Sequence, residues 1–183
     1  MKKMIAAFII IAALSTTALV MAVNTRFPVR YLDVIEANAG ALEPSLILAV
    51  IMAESSFRPH VQSRAGAQGL MQLMPTTAEE VANRMGLKDF NPEEIWLPEV
   101  NIAMGSFYLN RLYDLFGDIE LALAAYNAGM GNVNSWLSNP DYSKDGKTLD
   151  VIPFNETYNY LHRVARNQRI YEVILGVRRF FER

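Results

Sequence analysis

Apolar residues are arranged in two different ways along this chain. An uncharged run extends from Met4 to Val23, directly behind Lys2 and Lys3. Further along, apolar residues recur at helical spacing between segments that are broken by proline and glycine. The alternation of β-branched and polar residues that is typical of strands is nearly absent. The pattern predicts a single, mainly α-helical domain behind an apolar N-terminal segment.

Proline, glycine and capping residues mark where the predicted helices begin and end. The predicted segments are Pro28–Ala39, a helix that begins at Pro44 and is ended by Pro59, one from Thr76 or Thr77 to Gly86, one from Pro98 to Gly117, Asp118–Ala128, Asn132–Leu137, and a last one capped by Asn155. Residues 45–53 are apolar on nearly every side, which is typical of a buried helix. Residues 60–75 lack helical periodicity and are expected to form a loop or short β-hairpin.

Residues 1–23 have the features of an export segment. The apolar stretch Met4–Leu14 matches the core of a signal peptide, which would be removed. As one helix, the 20 uncharged residues would span about 30 Å, enough to cross a bilayer. The segment is therefore either a cleaved signal peptide or a membrane anchor with its lysines in the cytoplasm. Both alternatives place residues 24–183 outside the cytoplasm.

Composition and charge exclude several classes of function. The chain has no cysteine, so it has neither disulfides, nor thiolate metal sites, nor a lipid-modified cysteine. A net charge of −2 argues against general nucleic-acid binding, which needs a basic face. Residues 141–146 begin like a calcium loop, but Ile152 stands where a bidentate glutamate is needed. We expect no metal and no cofactor.

Glu54 is the strongest candidate for chemistry that the residues themselves indicate. It is the only charge between Glu43 and Arg58, at the C-terminal end of the most hydrophobic predicted helix. Burial and the negative end of the helix dipole both raise the pKa of a carboxyl group there. Glu54 is therefore either a proton donor near neutral pH or a structural carboxylate that pairs with Arg58 or a loop amide.

Four sequence blocks carry a resemblance to a known family. They are Glu54-Ser55-Ser56-Phe57, Gly66-Ala67-Gln68-Gly69-Leu70-Met71-Gln72-Leu73-Met74-Pro75, Ala125-Tyr126-Asn127-Ala128-Gly129, and Pro153-Phe154-Asn155-Glu156-Thr157 with Tyr160. In this order they resemble the lytic transglycosylases of the soluble type. The resemblance implies a lysozyme-like helical fold of the goose type and a location in the bacterial cell envelope. It also implies cleavage of the β-1,4 bond between N-acetylmuramic acid and N-acetylglucosamine in peptidoglycan.

The same resemblance implies roles for individual residues. Glu54 would act as the single acid and base, and the product would be a 1,6-anhydromuramoyl end. The implied substrate contacts are Ser63, Gly69, Leu70, Gln72, Met74, Tyr126, Asn127, Glu156 and Tyr160. Structural alternatives stay open for Ser63 as a turn hydroxyl, Asn127 as a tie at a helix end, Glu156 as a complement to a helix dipole, and Tyr160 as a core residue. Met71 and Leu73 are expected in the core.

Two functional alternatives and one surface feature complete the sequence-based picture. A hydrolytic muramidase on the same fold would use Glu54 with an activated water, and a glycan-binding assembly protein would lack catalysis. The arginines of the last predicted helix form either a solvated face or a contact with anionic phospholipid or wall polymer. Peptidoglycan strands are the expected partner. If residues 1–23 are not cleaved, they would make the membrane a second partner. An unidentified component of the envelope machinery is a further candidate partner.

Overall fold

The computed structural model describes residues 2–181, and for residues 2–3, 6–9 and 13 it describes the backbone alone. The helices are α1 Lys2–Arg26, α2 Leu32–Asn38, α3 Pro44–Glu54, α4 Pro75–Arg84, a 3-10 helix Pro92–Trp96, α5 Pro98–Phe116, α6 Ile119–Ala128, α7 Met130–Leu137 and α8 Asn155–Phe181. Over the described range, β-structure is limited to the isolated antiparallel bridges Gln62–Gln68 and Gln68–Leu73. The prediction of a mainly α domain with a short loop or hairpin region is confirmed.

The N-terminal compact unit of the chain ends at Arg30 and contains α1. The hydroxyl of Thr16 donates to the carbonyl of Ala12 at 2.8 Å, so this polar side chain is accommodated within the helix. The helix continues to Arg26 without a break at Val23, the end of the predicted export segment. Among the residues that the structure describes, no helix is long and apolar enough to cross a membrane.

The second compact unit begins at Tyr31 and is built around α3 and α8. Every residue of α3 from Ser45 to Met52 is buried, as the all-round apolar pattern predicts. Its largest contact is with α8, which presents Tyr160, Val164 and Tyr171 among its buried residues. The most hydrophobic helix thus passes through the centre of this unit and ends at Glu54.

The other helices surround this pair. α5 packs against α2 and α6, α6 also contacts α7 and α8, and α4 lies against α5 and the 3-10 helix. Gly117 ends α5 in the left-handed conformation, and the Asp118 side chain accepts a 2.9 Å hydrogen bond from the amide of Leu121 at the start of α6. Both helix boundaries agree with the sequence prediction.

Several predicted helix starts were wrong. α2 begins at Leu32, after Tyr31 in a left-handed conformation, and α7 begins at Met130. The capping box expected at Thr76 or Thr77 does not form, because α4 already begins at Pro75 and has Met74 at its N-cap. A capping box forms instead between Asn91 and Glu94, in the 3-10 helix that sequence patterns missed.

Candidate active site

Glu54 is the last residue of α3 and lies at the edge of the buried core. Residues 46–52 of α3 are apolar and buried, and the Glu54 carboxyl group itself has little access to water. This desolvation raises the pKa of Glu54 to about 7. Arg58, the structural partner that the sequence left open, donates its Nε hydrogen to the carbonyl of Ser55 at 3.0 Å. At neutral pH a large fraction of Glu54 therefore carries a proton.

Tyr160 of α8 places its hydroxyl beside the Glu54 carboxyl group. The side chain is 1% exposed. Its interaction with Glu54 lowers the pKa of the carboxyl group, which partly opposes the effect of burial. The geometry falls short of a full hydrogen bond, and the Tyr160 hydroxyl is the buried side-chain polar atom in the described chain that has no completed partner.

Two charged residues in the first nine residues of α8 also act on Glu54. The positive charge of Arg163 lowers the pKa of the Glu54 carboxyl group, and the negative charge of Glu156 raises it. Glu156 lies in the first turn of α8 and is exposed. The last helix therefore brings three groups, Tyr160, Arg163 and Glu156, into electrostatic range of the candidate acid.

Tyr126, near the end of α6, connects Glu54 with an open groove. Its hydroxyl donates a 2.8 Å hydrogen bond to the carbonyl of Met71. Burial raises the pKa of the Tyr126 phenol, and the charge of Glu54 raises it further, so the two side chains are electrostatic neighbours. The groove has a volume of about 240 Å³ and includes Gln72, Met74, Tyr108, Tyr126 and Asn127 in its lining.

The loop that forms one wall of this groove is fixed by Asn101 of α5. The Asn101 side chain accepts a 2.7 Å hydrogen bond from the amide of Met71, and donates to the carbonyls of Gln68 and Ile95 at 3.1 Å and 2.9 Å. It is 1% exposed. Sequence reasoning missed this residue. The one feature that could have indicated it is the presence of an asparagine on the apolar face of a long predicted helix.

Gly69 and Leu70 lie beneath the groove surface. Gly69 has φ +80°, and a Cβ atom added there would clash with the Asn101 amide nitrogen. The glycine is thus required by packing against Asn101. Leu70 is fully buried. Neither Gly69 nor Leu70 therefore presents an apolar side chain to a ligand in the groove. Met71 and Leu73 are buried as well, as the sequence predicts.

Gln72 and Met74 lie at the groove itself. Gln72 adopts φ +49°, and its amide nitrogen donates to the carbonyls of Val61 and Gly69, both at 2.9 Å. Met74 is 39% exposed and precedes α4. Gln72 therefore stabilises a tight turn, while Met74 presents an apolar surface to the open groove.

Ser63 and Asn127 take part in local hydrogen bonds. The Ser63 hydroxyl accepts a 3.0 Å bond from the amide of Ala67, which closes the turn ahead of the groove loop. The Asn127 side chain accepts a 2.8 Å bond from the hydroxyl of Thr157 and so ties α6 to α8. The structural alternatives considered for both residues are thus present in the structure, and of the two Asn127 also lines the groove.

The structure thus brings most predicted residues together in two adjoining sets. Glu54, Tyr126, Tyr160 and Glu156 interact electrostatically, and the groove adds residues 72, 74 and 127. In the part of the chain that is described, no group of three acidic or histidine side chains is arranged to hold a metal ion. The site offers a carboxyl group that is poised to give and take a proton beside an open groove.

A helical domain with this arrangement has the lysozyme-like fold. The family model of the transglycosylase SLT domain matches residues 34–149, which is more than half of the chain. The chain therefore belongs to the transglycosylase SLT family.

Curated relatives carry related names. The chain is 36% identical over 156 residues to the soluble lytic murein transglycosylase of Salmonella typhimurium, covering 82% of this chain and 24% of that protein. It is 41% identical over 175 residues to the membrane-bound lytic murein transglycosylase F of Desulfosudis oleivorans, covering 78% and 36%. The chain thus spans about a quarter of the length of the soluble relative and about a third of the membrane-bound one.

Solved structures agree with this assignment. The 70 kDa soluble lytic transglycosylase SLT70 from Escherichia coli superimposes with a TM-score of 0.74 at 32% identity, covering 84% of this chain and 26% of that one. The lytic transglycosylase Slt from Pseudomonas aeruginosa, solved as an inactive variant with glutamate replaced by glutamine, gives a TM-score of 0.74 at 36% identity, with coverage of 84% and 25%.

Proposed function

We propose that this chain is a peptidoglycan lytic transglycosylase that cleaves the β-1,4 bond between N-acetylmuramic acid and N-acetylglucosamine. The observation that carries the proposal is the carboxyl group of Glu54, with a pKa of about 7, at the end of a buried helix, where its electrostatic neighbour Tyr126 lines an open groove. A catalytic acid works best when its pKa is close to the working pH. Family membership supplies the substrate class.

In the proposed reaction, Glu54 acts twice. Its proton passes to the glycosidic oxygen as the bond from C1 to that oxygen breaks, and N-acetylglucosamine leaves with a free hydroxyl. The ionised Glu54 then takes the proton of the muramoyl 6-hydroxyl while that oxygen bonds to C1. The product is a 1,6-anhydro ring, Glu54 ends protonated, and no water is consumed. Since the nucleophile belongs to the substrate, its effective concentration exceeds that of water.

The environment of Glu54 suits both halves of this cycle. The desolvated site favours the protonated acid before the glycosidic bond breaks. Arg163 and the Tyr160 hydroxyl favour the carboxylate that forms afterwards, because both lower the pKa of Glu54. Opposing influences of this kind keep the pKa near neutrality, where a single group can serve as acid and as base.

The remaining predicted contacts are proposed to hold the glycan. Met74 and Tyr126 would contact sugar faces along the groove, and Gln72 and Asn127 would border it. Ser63 would bond to the substrate near the cleaved linkage. Gly69 and Leu70 would act from below, by setting the backbone of the loop that Asn101 holds.

A hydrolytic muramidase is the second candidate, and Glu156 is the observation that favours it. Hydrolytic enzymes of this type use a second carboxylate to activate water or to form a covalent intermediate. Glu156 is an exposed acid whose charge already acts on Glu54. In the transglycosylase proposal Glu156 instead binds a glucosamine unit.

Product analysis separates the two reactions. Purified peptidoglycan is digested with the full chain, and the masses of the fragments are measured by mass spectrometry. Anhydromuramoyl ends support the transglycosylase, whereas reducing muramoyl ends, which are about 18 Da heavier because water has been added, would establish hydrolysis. Glu156→Gln serves as the second arm: it should weaken substrate binding in the first case and abolish turnover in the second.

A non-catalytic glycan-binding role is tested by Glu54→Gln. This substitution keeps the shape of the side chain and removes the proton that can be transferred. We expect turnover to fall by a factor of at least 10², while far-ultraviolet circular dichroism and glycan pull-down stay as in the unsubstituted chain. Undetectable turnover in the unsubstituted chain itself, together with intact binding, would support the binding protein.

We further infer that the domain works in the bacterial envelope, outside the cytoplasm. Residues 1–23 supply the export signal or anchor in this proposal, and residues 24–183 form the catalytic domain. Relatives that are named both soluble and membrane-bound support an envelope location without distinguishing the two. Mass measurement of the protein recovered from cell fractions shows whether the leader has been removed.

A further inference from the structure

The final turns of α8 carry an apolar stripe that the described chain leaves uncovered. Val173, Val177, Phe180 and Phe181 are 66%, 52%, 75% and 79% exposed. Their spacing of four, three and one residues places them on one side of the helix. The rings of Phe180 and Phe181 meet edge to face, with centroids 5.4 Å apart. These four side chains form one continuous apolar surface, which we call the α8 stripe.

The α8 stripe is distinct from the face of the helix that builds the core. Tyr171 and Leu175 are buried, at 0% and 5% exposure, and helical geometry places them opposite Val173 and Val177. The same helix thus has one apolar face that packs on its own domain and another that points away from it. Single exposed apolar residues are common on proteins, but a contiguous aromatic stripe indicates an interaction surface.

The charges around the α8 stripe are strongly one-sided. Residues 166–181 contain four arginines and one glutamate, a net charge of +3, in a chain whose net charge is −2. The arginines are Arg166, Arg169, Arg178 and Arg179, and all are exposed. Positive charge is therefore concentrated on the helix end that also presents exposed phenylalanines.

We propose that this end of α8 binds the surface of an anionic phospholipid bilayer. Phenylalanine and valine would enter the boundary between headgroups and acyl chains, and the arginines would contact lipid phosphates, as in helices that lie in a membrane interface. An anionic wall polymer would match the arginines alone and leave the apolar residues in water. A second copy would match the apolar residues alone and bring eight arginines together. Of these three occupants, the lipid surface alone matches both features.

This binding would hold the domain at the membrane through its C-terminal helix, independently of residues 1–23. The buried face of α8 carries Tyr160 and contacts α3, which ends at Glu54. Because one continuous helix joins the α8 stripe to the candidate site, lipid binding would fix the orientation of the groove relative to the membrane surface.

The test uses the full chain and takes advantage of its lack of cysteine. Val177→Cys is labelled with a fluorophore that shifts to shorter wavelength in an apolar environment, and vesicles are added. Leu115→Cys, at an α5 position that is 60% exposed, is the matched control. A local label reports on the α8 stripe even if the N-terminal segment also enters the bilayer.

We expect a blue shift at position 177 with vesicles of phosphatidylglycerol and phosphatidylcholine, and none with phosphatidylcholine alone. The shift should disappear at high salt and in the Arg178→Gln, Arg179→Gln background. No shift at 177 with anionic vesicles would overturn the proposal, as would an equal shift at 115. A shift that depends on protein concentration without lipid would establish self-association in its place.

Discussion

The hydroxyl of Tyr126 donates a 2.8 Å hydrogen bond to the carbonyl oxygen of Met71, across 55 residues of sequence. This bond fastens the end of α6 to the groove loop while the Tyr126 ring lines the groove. The ring of Tyr108 packs against it, with centroids 5.5 Å apart. One side chain thus serves both as part of the groove wall and as the bond that holds the wall in place.

Tyr126→Phe should therefore lower both stability and activity. The ring keeps its packing, but the Met71 carbonyl loses its side-chain partner. We expect the free energy of unfolding to fall by about 1 kcal/mol and the KM for glycan to rise, measured by urea denaturation and by turnover of peptidoglycan. An unchanged stability would mean that the bond is replaced by water at no cost.

Activity should depend on pH through Glu54. In the proposed mechanism Glu54 must carry its proton when substrate binds, and its pKa is about 7. The value of kcat/KM should therefore fall as the pH rises through about 7, because the proton is lost from the free enzyme. Initial rates on purified peptidoglycan between pH 5 and 9 measure this limb; a limb centred near the ordinary pKa of a glutamate would contradict the burial of Glu54.

Tyr160→Phe should move that limb to higher pH. The Tyr160 hydroxyl lowers the pKa of Glu54, so its removal leaves the desolvation effect less opposed. Stability should stay the same or increase, because this buried hydroxyl lacks a completed hydrogen bond. Tyr126→Phe is the matched control, since it removes a phenol that does complete its bond. If Tyr160 had only a structural role, Tyr160→Phe would leave the pH dependence of kcat/KM unchanged.

Stability should also depend on pH through Glu54. Its pKa is raised from 4.5 to about 7 on folding, so the folded state holds the proton more tightly. The stability associated with this proton is complete below about pH 4.5 and is lost as the pH rises to about 7. Glu54→Gln cannot ionise, so it should be the more stable protein above pH 7, by up to roughly 3 kcal/mol.

Denaturation curves at pH 4, 6 and 8 measure this difference. Glu36→Gln, at an exposed position of α2, is the control and should keep the pH dependence of the unsubstituted chain. If Glu54→Gln retained the full slope between pH 4 and 8, another group would have to be responsible for it.

Two glycines of the groove loop should respond differently to alanine. Gly69 and Gly66 both have positive φ, +80° and +95°, but only the Gly69 Cβ position is occupied, by the Asn101 side chain. Both variants carry the backbone strain of about 1 kcal/mol. Gly69→Ala should lose roughly 2 kcal/mol more than Gly66→Ala, because the clash displaces a buried amide with three hydrogen bonds. Equal losses would show that Asn101 moves aside freely.

The sequence predicted the features that depend on local patterns. Apolar periodicity and the residues Pro44, Gly117 and Asp118 define helices that the structure contains. Glu54 could be found because a lone charge in an apolar helix is physically costly, and family blocks supported it. The pKa of Glu54 is raised in the structure, which is the direction expected from burial.

Features that depend on long-range contacts were not predictable in the same way. Nothing near Asn101 in the sequence indicates that its amide serves a loop 30 residues away. The same holds for Glu156, whose effect on Glu54 arises only when α8 packs against α3. Thr76 and Thr77 have the right spacing for a capping box, but Pro75 starts the helix first and leaves them inside it.

The three hydrogen bonds of Asn101 have a consequence for how a glycan strand would enter. Since its amide holds the Met71 and Gln68 backbone to α5 and to the carbonyl of Ile95, this wall of the groove opens only if a buried polar group is exposed. Amide hydrogen exchange at Met71 should then follow the unfolding of α5 and not a local fluctuation. The strand would meet a receptor that is already shaped, and little of its binding energy would be spent on ordering the protein.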